Sequence, residues 1–65
     1  MEAKIGSLVR VMVDFQLSRN IKIMQGDYGI IIGHTKEDYG NVFDYLVACN
    51  GIQIYLFNYE IELVI

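Results

Sequence analysis

An Asn-Gly pair at positions 50 and 51 constrains the fold more than any other feature of this sequence. The pair separates two runs of β-forming residues, and both of its residues tolerate the positive φ that the central positions of a type I′ turn require. The twist of that turn also matches the twist of the strands that it joins. The sequence therefore predicts a tight β-hairpin centred on Asn50 and Gly51.

Alternating patterns predict three strands before this turn. Residues 7–15 alternate with a period of two, and the apolar side chains on one face of this run are Val9, Val11, Val13 and Phe15. Residues 28–33 form a second strand, whose interior glycines indicate a bend, a bulge or a close approach of the backbone. Residues 42–49 alternate again, with the odd positions as core candidates and Asp44 facing solvent.

Beyond the turn the same alternation sorts the side chains between two faces. If the even positions from Ile52 to Leu56 face inward, Tyr55 and Phe57 point outward. The remaining segments are predicted as a long loop or irregular hairpin over residues 16–27 with an extended middle at 21–24, an exposed polar loop over 34–41, a single turn over 58–60, and a closing strand over 61–65.

Five short strands in 65 residues are too few for a two-sheet sandwich, which takes about 100 residues. The fold class that we predict is all-β, as one domain over residues 1–65 that forms a five-stranded, partly open barrel. The loops follow the order long, medium and polar, two-residue hairpin, and single turn, which is the loop order of an SH3-like barrel.

Charge and cysteine content exclude several classes of function. The net charge is -3, and generic affinity for nucleic acid depends on lysine and arginine displacing counterions, so nucleic-acid binding is disfavoured. The single cysteine, Cys49, excludes an internal disulfide and favours a reducing, intracellular setting. No run approaches the ~18 apolar residues that a membrane helix needs, so we expect a soluble protein without membrane contact.

Three segments together carry a family resemblance, namely residues 5–11 (IGSLVRV), 26–31 (GDYGII) and 60–64 (EIELV). On these segments, and over almost its whole length, the chain resembles the SH3-like barrel group and, within it, small proteins of tailed bacteriophages. This resemblance implies a viral protein that is a virion component or an accessory factor binding a host protein in the host cytoplasm. Residues 11–15 (VMVDF) are similar to the Ala-Leu-Tyr-Asp-Tyr signature of signalling SH3 domains. Because the chain has no tryptophan and no proline, the aromatic groove that grips polyproline ligands lacks its main parts.

No catalytic constellation is visible in the sequence. His34 and Cys49 are the only pair that would supply a base and a nucleophile, and the pattern places His34 at the edge of a polar loop and Cys49 on a core-facing strand. Glu37 and Asp38 beside His34 fall short of the spaced ligands of a calcium loop. We therefore expect a protein that is not an enzyme and that carries no cofactor or metal.

Five tyrosines and three phenylalanines give this small chain more aromatic surface than one core hides. An exposed aromatic and aliphatic patch is typical of a partner surface. Two alternatives stay open: the open ends of the barrel bury these rings, or three rings form a cage for a cationic group, as in Tudor-type barrels.

These patterns predict a non-enzymatic interaction or assembly module that self-associates or docks onto a larger assembly. Its closing strand, residues 61–65, is the first candidate for pairing with a neighbouring subunit in a homo-oligomer. The candidate contact residues are Met12, Leu46, Tyr55, Phe57, Ile61, Leu63 and Ile65. The alternative is a KOW-like or Sm-like nucleic-acid module, in which Arg19, Lys22 and Tyr39 form one exposed patch.

Overall fold

The structure is a computed structural model that describes residues 3–34 and 42–64. Its strands are β1 (Leu8–Val11), β2 (Phe15–Gln16), β3 (Lys22–Ile23), β4 (Tyr28–His34), β5 (Tyr45–Cys49), β6 (Ile52–Leu56) and β7 (Ile61–Leu63). One 3₁₀ turn, Asn58–Glu60, separates β6 from β7. The all-β prediction is confirmed for the described residues, and none of them forms a helix long and apolar enough to cross a membrane.

The larger sheet is antiparallel and has the strand order β6-β5-β4-β1-β7. The strands β2 and β3 form a separate two-stranded sheet within the segment that links β1 to β4. This small hairpin matches the irregular hairpin that the sequence predicts over residues 16–27. The order leaves β6 and β7 at the two edges of the larger sheet.

The predicted turn between β5 and β6 is confirmed. Asn50 and Gly51 have φ values of 52° and 80°, and Cys49 faces Ile52 across the turn. Both central residues are thus in the left-handed region that a type I′ turn requires.

The core is built from the inward positions of β1, β3, β4, β5, β6 and β7, together with Ala3, which precedes the first strand. The residues in it are Ala3, Val9, Val11, Ile23, Ile31, Tyr45, Val47, Cys49, Ile54, Leu56 and Ile61. The alternation predicted for residues 42–49 and 52–56 is confirmed within β5 and β6, where Val47 and Leu56 are fully buried. The β5 strand begins at Tyr45 and not at residue 42, and the predicted core residue Phe43 is half-buried. Gly29 is buried between β1 and β5, and a register shift between Ile31 and Gly33 marks the bulge expected in this strand.

The first strand is shorter than predicted, because its ladder ends at Val11. Val11 exchanges backbone hydrogen bonds with the turn before β4, donating to the Asp27 carbonyl (2.8 Å) and accepting from the Gly26 amide (2.8 Å). The chain then turns away, and the Asp14 carboxylate accepts a hydrogen bond from the Gln25 amide (2.7 Å). Val13 is consequently 38% exposed, whereas Val9 and Val11 are fully buried, so the prediction that the three side chains share one face of a strand is wrong for Val13.

Some predictions fall on residues that the structure does not describe. His34 is the last residue of β4, and the polar loop that follows it lies outside the described residues. The same holds for Glu37, Asp38, Tyr39 and Ile65.

Candidate interaction surface

Four aromatic rings form a continuous row across one part of the surface. The ring centroids are 6.0 Å apart for Tyr55 and Phe43, 4.5 Å for Phe43 and Phe57, and 5.3 Å for Phe57 and Tyr59. The last two rings are nearly parallel, with an interplanar angle of 8°. These separations lie within the range in which aromatic pairs attract one another. We call the four rings the aromatic row.

Local hydrogen bonds to two carboxylates hold the aromatic row together. The backbone N–H of Asn58 donates to Asp44 Oδ2 (2.7 Å), which fixes the 3₁₀ turn against the segment that contains Phe43. The Phe57 amide donates to Glu60 Oε1 (2.8 Å), which closes the turn itself. The prediction that Asp44 is a solvated residue facing outward is therefore wrong, since its carboxylate positions the turn. Both carboxylates also give the surroundings of the row negative charge.

The row has a half-buried middle and two exposed ends. Phe43 and Phe57 are half-buried, whereas Tyr55 is 47% and Tyr59 is 76% exposed. Tyr45, which is not part of the row, is buried in the core. The centroid of its ring is 5.4 Å from that of the His34 ring, and its hydroxyl accepts a hydrogen bond from the Ala3 backbone amide (3.4 Å). The proposal that the fold buries all of its rings is thus wrong for Tyr55 and Tyr59.

The outer face of the larger sheet adds an aliphatic surface. Leu8 faces Ile30, which in turn faces Ala48, and Leu46 faces Tyr55 in the next row across the sheet. Leu8, Ile30 and Ile32 are exposed, and Leu46 is half-buried. We call this surface the outer sheet face, and it meets the aromatic row at Tyr55.

Sequence reasoning omitted Ile30 and Ile32 from the candidate contact residues. The pattern that indicates these two residues is the run of three isoleucines at positions 30–32 within a predicted strand. Successive side chains of a strand point to opposite faces, so a buried Ile31 leaves its two neighbours on the outside.

The structure distributes the other predicted contact residues unequally. Ile61 is only 5% exposed and belongs to the core, so its side chain is not part of an exposed surface; the reason is its pairing with Val11 in the ladder of β1 and β7. Leu63 is half-buried against the core. Met12 is half-buried beyond the end of β1, where its amide donates to the Glu60 carbonyl (2.9 Å).

The cations of the nucleic-acid alternative lie on the β2–β3 hairpin. Arg19 and Lys22 are both exposed there. The third member of that predicted patch, Tyr39, lies outside the described residues. The aromatic row has carboxylates in its immediate surroundings, and a phosphate backbone favours lysine and arginine there.

His34 and Cys49 lie at opposite ends of the ladder between β4 and β5. His34 faces Tyr45 at one end, and Cys49 faces Gly29 at the other. The thiol of Cys49 donates to the Tyr28 carbonyl (3.2 Å), and burial raises the pKa of this thiol, with a smaller contribution from the charge of Asp27. This separation rules out direct proton transfer between the two side chains.

No protein-family model, curated protein or solved structure matches this chain.

Proposed function

We propose that this chain is a non-enzymatic protein-interaction module and that the aromatic row is its contact surface. The observation that carries the proposal is the exposure of Tyr55 and Tyr59 at the ends of a row of rings whose middle is half-buried. Tyrosine and phenylalanine are enriched at protein interfaces, where a rigid ring buries a large area at low cost in conformational entropy. The two carboxylate hydrogen bonds keep these rings in place before a partner arrives.

Charge indicates the kind of partner that fits the aromatic row. Asp44 and Glu60 lie beside the rings, and the whole chain has a net charge of -3. A protein segment that offers an apolar or aromatic anchor next to a lysine or arginine is complementary to this surface. The same charges oppose an approaching phosphate backbone, so the proposal favours a protein partner over RNA.

The topology supports the further proposal that the fold is an SH3-like, partly open barrel. The β2–β3 hairpin lies within the long first connection, the two-residue turn joins β5 to β6, and the 3₁₀ turn precedes the last strand. These three connections have the order expected of an SH3-like barrel, and the polar loop between β4 and β5 lies outside the described residues. On the sequence resemblance, the proposed module is a small tailed-phage protein, either a virion component or an accessory factor that acts on a host protein in the host cytoplasm.

Site-specific photo-crosslinking tests the proposed contact surface. A benzophenone amino acid at position 59 places a reactive group at the exposed end of the aromatic row, and the same group at position 20 provides a matched control. Asn20 is exposed too, but it lies on the β2–β3 hairpin. In extract of the source cells, we expect one discrete protein adduct from position 59 and none from position 20.

The adduct is then identified, and its affinity for the unmodified chain is measured with purified components. Tyr59→Ser should weaken binding by about thirtyfold, because loss of an aromatic side chain that acts as a hot spot costs about 2 kcal/mol or more. Arg19→Ala should leave binding unchanged. Equal adducts from both positions, or an RNA adduct whose formation falls steeply with salt and with Arg19→Ala, would refute the proposal.

A further inference from the structure

In the part of the chain that the structure describes, β6 is an edge strand without the usual sequence protection against pairing. It is five residues long, it contains no charged residue and no proline, and within residues 3–34 and 42–64 its one hydrogen-bonded neighbour is β5. Natural sheets normally protect such edges with charges, prolines, bulges or very short strands. An edge without these devices presents a template for another strand.

The backbone groups that β6 presents to its free edge belong to Gln53 and Tyr55. Alternate residues of a strand direct their N–H and C=O groups to opposite sides. The backbone N–H and C=O groups of Leu56 point towards the β5 side, since the Leu56 carbonyl accepts a hydrogen bond from the Asp44 backbone amide (3.1 Å). The backbone groups of Gln53 and Tyr55 therefore point away from β5, and both residues are exposed.

We propose that β6 is a homodimerisation edge, at which two copies of the chain pair antiparallel about a twofold axis that passes beside Ile54. In this register, Gln53 of each copy faces Tyr55 of the other, and the two residues exchange both backbone hydrogen bonds. Ile54 lies opposite its own symmetry mate on the inner face. This site goes beyond the proposed function, because it uses the backbone of Tyr55, whereas the aromatic row uses the ring.

Charge opposes twofold pairing at β7 and permits it at β6. The backbone groups of β7 that point outward belong to Ile61 and Leu63, because the Glu60 carbonyl and the Val64 amide bond to the β1 side. The equivalent twofold pairing of β7 would set Glu62 directly opposite Glu62 of the second copy, and like charges in that position are destabilising. At β6 the residue on the axis is an uncharged isoleucine. Two chains of net charge -3 therefore meet at β6 without a like-charge contact.

The proposed pairing has a structural consequence for the outer sheet face. The side chains of Gln53 and Tyr55 point to the same face in both copies, because paired residues of antiparallel strands share a face. The two five-stranded sheets would join into one sheet with a continuous outer face. Two aromatic rows would then lie on one surface, so a partner with two matching segments would bind with added avidity.

Backbone N-methylation tests the edge without changing a side chain. The single Cys49 permits chemical ligation of residues 1–48 to a synthetic segment over 49–65. N-methylation at Tyr55 removes an outward donor of β6 and leaves the ladder with β5 intact. N-methylation at Leu63 removes the corresponding outward donor of β7 and is the matched control. Circular dichroism verifies that each product folds.

Light scattering over a wide concentration range then gives the mass of each chain. We expect a dimer for the unmodified chain and for the chain methylated at Leu63, and a dissociation constant raised by at least about tenfold for the chain methylated at Tyr55, since the twofold axis removes two hydrogen bonds. Gln53→Pro, which is made genetically and removes an outward N–H donor from an edge strand, should give the same loss.

Three results would overturn the proposal: a monomer at every concentration, a dimer that persists after methylation at Tyr55, or open-ended assemblies that both methylations abolish, since these indicate pairing of β6 with β7. The variant Tyr59→Ser should remain dimeric. Failure of the dimer and failure of the aromatic row as a contact surface are therefore observed in separate experiments.

Discussion

The substitution Gly29→Ala tests how closely β4 and β5 approach each other. A Cβ atom at position 29 would lie 2.7 Å from Val47 Cγ1 and 2.9 Å from the Ala48 carbonyl oxygen. Since carbon atoms pack best at about 3.5–4.0 Å, the strands would have to separate by most of an ångström at a position where the ladder fixes the backbone. Overpacking of this kind destabilises the folded state by about 1–3 kcal/mol. Alanine in a strand is more stable than glycine by about 0.5–1 kcal/mol, which offsets part of that cost.

We therefore expect Gly29→Ala to lower the free energy of unfolding by about 1 kcal/mol, against the roughly 3–10 kcal/mol that a chain of this size has. Urea denaturation followed by circular dichroism measures the change. Gly33→Ala in the same strand is the matched control, because a Cβ there meets Leu46 Cβ at 3.7 Å, an ordinary contact. That control should be neutral or slightly stabilising. Equal destabilisation by both substitutions would refute the close approach as the reason for glycine at position 29.

Three further changes test the turn, the support of the aromatic row and the buried thiol. Gly51→Ala forces a side chain onto a backbone with φ of 80° and should cost about 1 kcal/mol; an unchanged melting temperature would contradict the type I′ turn. Asp44→Ala removes the acceptor of the Asn58 amide and should cost about 1–3 kcal/mol in urea denaturation, whereas Asp44→Asn, which keeps an acceptor oxygen, should cost less. Burial, and secondly the charge of Asp27, raise the pKa of the Cys49 thiol, so the folded state favours the protonated form. The resulting stability is present below the ordinary thiol pKa and is lost as pH rises through the raised pKa. Relative to Cys49→Ala, the wild type should lose stability in urea from about pH 8.5 upward, and parallel pH profiles would contradict this reading.

Local rules were sufficient to predict the hairpin and its two strands. The conformation of Asn50 and Gly51 depends on their own tolerance of positive φ, and the turn then fixes which residues of β5 and β6 face each other. Alternation from that fixed point predicted Val47 and Leu56 as core residues. Each step involves residues that are near one another in the sequence.

The end of the first strand depends on contacts that no local pattern contains. The alternation of apolar residues continues through Val13, yet β1 ends at Val11. Its last partners are the Asp27 carbonyl and, through Met12, the Glu60 carbonyl, which are distant in the sequence. The length of β1 is therefore determined by its hydrogen bonds to distant segments of the chain, and not by its own sequence pattern.

The aromatic row was predicted only in part for the same reason. Sequence alternation identified Tyr55 as outward-facing, and this is confirmed by its exposure. The neighbours of its ring could not be predicted, because the contact between Phe43 and Phe57 and the hydrogen bond from the Asn58 backbone amide to Asp44 both join residues 14 positions apart in the sequence. The sequence signal for this contact was Asp44, a carboxylate within an apolar run. Its role follows only from the hydrogen bond that it accepts in the structure.

The distribution of charge over the sheet shows a selectivity that burial alone does not explain. With 54% apolar residues in a chain of 65, side chains such as Ile30 and Leu8 remain outside after the core is full. If charged residues served only to keep these exposed apolar side chains soluble, we would expect charges at both edges of the sheet. Instead Glu62 is held by Arg10 at 2.9 Å beside the β7 edge, while the longer β6 edge has no charge. Because a charge protects an edge against pairing, this asymmetry supports the proposal that a second strand pairs with β6 and not with β7.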